Sequence, residues 1–191
     1  NEDKDKKHDR IIFNLSNNQK LIYNDVRKFG FIKFIQRASL EQNAHLKHLG
    51  PEPMSAKFNI GYFKDYTTGK ERNIKNILMD QKFISGLGNI YVNEILFLSG
   101  VKPVKKIKKL TDVEIKKIIK FTKKIISKAI ILGGSSIKDF SSSSGKKGSF
   151  QQYFNVYGKK GENCPKVKCK GKIKKIVVSN RASFFCNKCQ K

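Results

Sequence analysis

The sequence predicts an α+β fold in three successive parts: strands first, helices in the middle, and a β-ribbon held by four cysteines at the C-terminal end. Three observations predict it. Apolar residues alternate or run together over residues 11–35 between polar turns, which is strand patterning. They recur at helical spacing over residues 74–130. The only cysteines, Cys164, Cys169, Cys186 and Cys189, form two close pairs with sixteen residues between them, room for one β-hairpin.

The strands come as two short runs, residues 11–15 and 20–23, around a polar turn at Ser16-Asn17-Asn18-Gln19. After Asn24-Asp25-Val26-Arg27-Lys28-Phe29-Gly30 a third run, residues 31–35, is apolar at nearly every position and reads as a third strand. Three strands make a poor independent sheet, and a run apolar on both faces needs cover on both. Residue 1 is Asn rather than Met and opens a charged segment, so partner strands upstream of this sequence are expected. Residues 45–53 form a punctuated connector out of the sheet.

Beyond it Ile74, Ile77 and Leu78 share one helical face, Gly86 and Gly88 interrupt the pattern, and a second helix runs from about Ile90 to Ser99, stopping at Gly100 with Pro103 beyond. The third helix opens with a capping box, Thr111 and Glu114. Its stripe is Ile115, Ile118, Ile119, Thr122, Ile125, Ile126, Ala129 and Ile130, and Gly133-Gly134 ends it. Lys116, Lys117, Lys120, Lys123, Lys124 and Lys128 fall mostly on other faces, the pattern of a solvated surface. In Gly86-Leu87-Gly88-Asn89-Ile90 small residues permit close backbone approach, and Asn89 at a helix start suits either a phosphate or a simple cap.

In the C-terminal part a hairpin reads over residues 172–178 and 181–185, with its turn at Ser179-Asn180. Four thiolates fill a tetrahedral zinc ion and leave no position for water, so such a site folds a domain and does no chemistry. The hairpin is too small to have a core without the ion. The alternatives are two disulfides or free thiols; disulfides need an oxidising compartment, and no secretion signal is visible.

Composition names the partner class. The balance of 41 Lys and Arg against 15 Asp and Glu, a net charge of +26 over 191 residues, exceeds what solubility requires and points to a polyanion, nucleic acid before an anionic membrane surface. No apolar run approaches a membrane span. The chain reads as soluble, intracellular and monomeric.

The run Asp80-Gln81-Lys82-Phe83-Ile84-Ser85-Gly86-Leu87-Gly88-Asn89-Ile90-Tyr91-Val92-Asn93-Glu94 closely resembles the helix-two-turns-helix signature of the formamidopyrimidine-DNA glycosylase family, bacterial base-excision repair enzymes that remove oxidised purines. Lys7-His8-Asp9, residues 25–30, His48-Leu49-Gly50-Pro51-Glu52-Pro53, Gly133-Gly134 with Lys138-Asp139-Phe140, and residues 156–161 through Gln190 resemble the family in its own order. The resemblance covers essentially the whole chain. It implies a remnant of an N-terminal β-sandwich at residues 1–36, a connector at 37–54, a helical helix-two-turns-helix domain at 55–150 and a zinc ribbon at 151–191. It also implies one structural Zn²⁺, a damaged or abasic double-stranded DNA partner, and a cytoplasmic, nucleoid-associated protein.

Residue by residue, the resemblance matches Asn89 and Arg181 to the pair that grips the DNA backbone beside the lesion. Arg27 matches the arginine that pairs with the orphaned cytosine, and Phe29 the aromatic wedge that fills the stack when the damaged base is flipped out. On the residues alone Phe29 reads first as a core strand position. His8 and Tyr157 match residues near the DNA backbone. Residues 141–150 resemble the mobile loop that closes over the everted base; a plain linker is the alternative.

Three departures matter. Val26 and Lys28 stand where the family has a proline and a second arginine, which implies a less stiff wedge loop. The first cysteine pair is spaced by four residues rather than two. The family's nucleophile, an N-terminal proline assisted by a glutamate and an upstream lysine, has no counterpart here. Pro51, Pro53, Pro103 and Pro165 are all internal, and an amide nitrogen cannot attack a sugar. The expectation is an N-terminally truncated glycosylase and apurinic/apyrimidinic lyase, inactive as it stands. A non-catalytic zinc-dependent DNA-binding module, or a relative of endonuclease VIII acting on oxidised pyrimidines, are the alternatives.

Overall fold

The computed structural model describes residues 6–135 and 148–191. Lys138-Asp139-Phe140 and most of the expected lesion loop, residues 141–147, lie outside them. The chain divides into two compact units, Asn1–Asn43 and Ala44–Lys191.

In the first unit β1 (Asp9–Asn14) and β2 (Lys20–Asn24) pair antiparallel, with Phe13 opposite Leu21 and a bulge between Asp9 and Ile11. Asn18 at φ 61° turns the chain between them, a conformation asparagine tolerates better than most residues. The expected third strand does not form. The sheet is two-stranded, and residues 31–35 carry side chains as exposed as Phe34 at 91%. Apolar content favours a strand only where a ladder and a covered face receive it.

Among the described residues of the second unit four helices build the core: α1 (Ile60–Thr67), α2 (Ile74–Leu78), α3 (Asn89–Ser99) and α4 (Asp112–Ile131). The first was absent from the sequence reading, although Asn59 caps it by accepting from Tyr62 N at 3.0 Å. It carries Phe63 onto Phe83 and, with Phe58, forms the aromatic centre of the core. α3 stops at Gly100, left-handed at φ 76°, where glycine carries no steric cost. α4 has its capping box, and it buries Ile115, Ile118, Thr122, Ile125 and Ala129. Ile130 leaves the expected stripe: it is exposed at the end of the helix, although Ala129 beside it is buried.

The C-terminal hairpin pairs β3 (Ile173–Val178) with β4 (Arg181–Cys186), closing Val178 onto Arg181. Ser179 and Asn180 both take positive φ, 48° and 57°, the conformation a two-residue hairpin turn demands. Phe97 of α3 joins Val156, Ile173 and Phe184 in a second small core. The hairpin therefore does share a core with the helices, contrary to the expectation that the ion alone would hold it. Among the described residues no helix is long and apolar enough to cross a membrane.

Candidate nucleic-acid interface and metal centre

The glycine turn between α2 and α3 is shaped by one side chain. Gln81 accepts from Gly86 N at 2.7 Å and donates to Leu87 O at 3.0 Å, which fixes Gly86 in its left-handed φ of 79°. Gly50 N donates to Gln81 O at 2.8 Å. A Cβ at Gly50 would stand 2.5 Å from the Phe83 backbone, so that close approach requires glycine.

Asn89 begins α3, but it is not the cap. Gly88 holds that position without a side-chain bond, while Asn89 Nδ2 donates to Ala182 O on the hairpin at 3.1 Å. One turn on, Asn93 Oδ1 accepts from Phe184 N at 2.6 Å. From α2, Lys75 Nζ donates to Ala182 O at 2.9 Å and to Ser183 Oγ at 2.6 Å, and Asn76 Oδ1 accepts from Ser179 Oγ at 2.9 Å. Two helices thus hold one strand by polar side chains, beside the packing of Phe97 on Phe184, and the first residue of that strand is the exposed Arg181. Every buried group in this clamp has a partner, as burial requires.

The electrostatics are one-sided. Lys75 is 1% exposed, and burial, with Arg181 nearby, lowers its pKa from 10.5 to about 8. Lys75, Arg72 and Arg181 line a cleft of about 360 Å³ between α2 and the hairpin tip. Its one acid, Asp80, is already paired with Arg72 at 2.7 Å. Such a cleft favours an anion.

Tyr157 is placed from below by Glu94. The buried Glu94 carboxylate accepts from the backbone N–H of Asn155, Val156 and Tyr157 and from Asn155 Nδ2, all within 2.9 Å. Four donors satisfy the carboxylate, which among the described residues has no ion-pair partner. The Tyr157 ring lies edge-on to Phe154 and Phe184, at 5.7 and 5.2 Å.

The four cysteines converge although no two are bonded. Their Sγ atoms all lie within 4.8 Å of one another, with Cys164–Cys189 and Cys169–Cys186 each at 3.7 Å. Thiolates about 2.3 Å from a tetrahedral ion stand about 3.8 Å apart, so donor set and spacing fit zinc. The long first pair is accommodated by a turn in which Cys169 N donates to Lys166 O at 3.0 Å and Lys168 takes φ 64°. Burial pushes the Cys164 and Cys189 thiols up. At Cys186 burial is outweighed by the N–H groups of Cys189 and Lys188 and by the neighbouring thiols, which bring it down to about 7.

Arg27, Phe29 and His8 belong to the first unit. Asp25 organises them: Oδ1 accepts from Arg27 N and Lys28 N at 3.0 and 2.8 Å, and Oδ2 from Gly30 N at 2.8 Å. The loop presents Phe29 at 78% exposure, with the Arg27 guanidinium 4.9 Å from its ring centre. Phe29 is therefore not a core strand residue. Asp25 fastens the loop where a proline would have stiffened it. His8 accepts Asp25 N on its carbonyl at 3.0 Å, and its ring lies 3.4 Å from the Arg10 guanidinium.

Asn89 and Arg181 thus meet at one strand; Lys75, Asn76 and Asn93, which build that meeting, and Glu94, which places Tyr157, are not among the residues the sequence marks as functional. A signal existed for two of them. Asn93 and Glu94 are polar positions in an otherwise apolar helix, four and five residues after Asn89, where a polar group is retained only if something bonds it.

Residues 49–141 match the formamidopyrimidine-DNA glycosylase H2TH domain. The formamidopyrimidine-DNA glycosylase of Rickettsia bellii is 44% identical over 97% of this chain and 67% of its own length; that of Roseobacter denitrificans is 37% identical over 97% and 65%. Among solved structures, the Lactococcus lactis enzyme in complex with abasic-site DNA superposes with a TM-score of 0.88 at 37% identity, covering 97% of this chain and 67% of that one. The chain spans about two thirds of the length of the relatives it matches. It belongs to the formamidopyrimidine-DNA glycosylase family.

Proposed function

We propose that this chain binds damaged or abasic double-stranded DNA as part of base-excision repair of oxidised purines. The observation that carries the reading is the clamp in which Lys75, Asn89 and Asn93 hold β4, so that Asn89 bonds the residue next to Arg181 while Arg181, Lys75 and Arg72 line one positively charged cleft. There Asn89 and Arg181 take backbone phosphates, and Tyr157 and His8 lie near the DNA backbone. Phe29 enters the opened stack, and Arg27 reads the orphaned base. One zinc ion, held by Cys164, Cys169, Cys186 and Cys189, fixes the ribbon that carries Arg181. Residues 1–36 act as part of a β-sandwich, 37–54 as the connector, 55–150 as the helix-two-turns-helix domain and 151–191 as the zinc ribbon.

The family reaction is removal of 8-oxoguanine and formamidopyrimidines, followed by β,δ-elimination at the abasic sugar. Its first step needs an unprotonated amine at C1′: the amine nitrogen bonds to C1′ as the bond to the base breaks. Within these 191 residues all four prolines are internal amides, and an ordinary exposed lysine, titrating near about 10.4, is almost wholly charged at neutral pH. This favours a second reading for the 191-residue chain taken by itself, a zinc-dependent damage-site binding module without catalysis.

One experiment separates the two. The chain is mixed with duplexes containing an abasic analogue, 8-oxoguanine or no lesion, and borohydride is added. Tighter binding to the abasic duplex with no trapped adduct is the expected result. Equal affinity for all three duplexes would overturn damage recognition, and efficient trapping would overturn the non-catalytic reading and assign the nucleophile to a primary amine of this chain, a lysine or the α-amine.

A further inference from the structure

Helix α4 carries a second cationic surface that the clamp does not use. Its buried face packs against α1 and α3. On the opposite side Lys116, Lys117, Lys120, Lys124 and Lys128 are exposed and Lys123 is half-buried. Lys116, Lys120, Lys124 and Lys128 recur every fourth residue, a ridge inclined about 26° to the helix axis that rises about 6 Å per step. Like charges at that spacing destabilise a helix rather than support it.

Among the described residues none of them is ion-paired to an acid. The two carboxylates of α4 sit in its first turn and are taken by lysines from elsewhere, Asp112 by Lys64 and Glu114 by Lys105, each at 2.7 Å. Residues 115–131 contain no Asp or Glu. Lys128 lies over the Tyr153 ring at 3.5 Å, a contact that leaves its charge in place.

From this geometry we infer that the outer face of α4 is a second binding surface for the sugar-phosphate backbone of a duplex, distinct from the clamp at Asn89 and Arg181. The ridge is about 18 Å long, roughly the rise of five base pairs. It contains lysine and no arginine, point charges that neutralise phosphates without the planar fork that reads bases. It also faces away from α3, the helix that Asn89 begins. A chain with two such faces can hold a second duplex before releasing the first, so one segment passes it directly to another. The inference rests on the duplex binding proposed above.

The test follows the 191-residue chain leaving a labelled undamaged duplex while unlabelled duplex is raised. The dissociation rate of the native chain is expected to climb with competitor concentration. In the triple variant Lys116→Gln, Lys120→Gln, Lys124→Gln that acceleration is expected to be lost, with the low-competitor rate and the helical circular dichroism retained. The matching Lys→Arg triple is expected to keep it. Acceleration that persists in the Gln triple, or is absent from the native chain, overturns the inference while leaving the clamp intact. So does a Gln triple that loses only binding to phosphatidylglycerol vesicles, which would assign the ridge to a membrane surface. A native chain that binds no duplex at all overturns the parent reading and this one together.

Discussion

The two units present their candidate DNA-contacting residues by opposite means. In the first, one carboxylate holds the loop that follows it: Asp25 gathers the amides of Arg27, Lys28 and Gly30 and so presents Phe29. In the second, Arg181 stands where it does because Lys75 and Asn89 reach Ala182 across 107 and 93 residues of chain. Local fastening needs only a short stretch to be right, whereas the long-range clamp needs the core, the helices and the ribbon together. Perturbations of the second unit should therefore spread, and those of the first should stay put.

The largest effect belongs to the metal. The native chain is expected to carry one zinc, and Cys186→Ser to lose it with at least a tenfold fall in duplex affinity, since structural zinc supplies on the order of 10 kcal/mol in small fingers. Because β4 is also held by Asn93 and packed through Phe184, amide protection should vanish around Cys164, Cys169 and Cys189 before it vanishes at Phe184. Elemental analysis without zinc, or unchanged affinity in the variant, would break this account.

Next comes the buried ammonium. Lys75 titrates near 8 when folded and near 10.5 when unfolded, so between those values the unfolded chain binds the extra proton and stability rises with pH. The full depression corresponds to roughly 3 kcal/mol. Denaturation measured from pH 7 to 11 should show that rise in the native chain and not in Lys75→Met, after the slope common to both is subtracted. Parallel curves would mean that Lys75 does not feel its burial.

Smaller, and more diagnostic, are the single contacts. Asn89→Ala and Arg181→Ala should weaken binding to any duplex by about 1–3 kcal/mol, and Arg181→Ala should reduce the salt slope by about one. Phe29→Ala should keep the slope and lose preference for the abasic duplex. If all three variants lose affinity in parallel with unchanged preference, the division of labour between the units is wrong.

What the sequence disclosed follows the same division. The capping box at Thr111, the stop at Gly100, the two-residue turn at Ser179-Asn180 and the cysteine quartet are local or compositional signals, and the structure contains each of them. Residues 31–35 misled because an apolar run reports affinity for cover, not the presence of a ladder. Helix α1 escaped because its stripe is aromatic and interrupted by Gly61 and Lys64. Lys75 was illegible for a deeper reason. A lysine between Ile74 and Ile77 reads as solvated until a strand 107 residues later brings it two acceptors.

The smallest expected effect tests the local side of the comparison. Backbone N–H donors, Gly30 foremost, hold the Asp25 carboxyl below its ordinary range against the opposing effect of desolvation. A depressed folded pKa means that the fastening is complete above the unfolded value, near 3.9, and is lost as pH falls through the folded one. At neutral pH the Gly30 and Lys28 amides should therefore exchange slowly in the native chain and quickly in Asp25→Ala. The left-handed Lys28, φ 56°, has little else to hold it. The amides of Phe184 and Cys186, in the other unit, should not change. Abasic preference should fall in Asp25→Ala, but by less than in Phe29→Ala, because the ring remains and only its presentation is lost. If Gly30 keeps its protection without the carboxylate, the loop is held by something other than Asp25, and local fastening no longer distinguishes the two units.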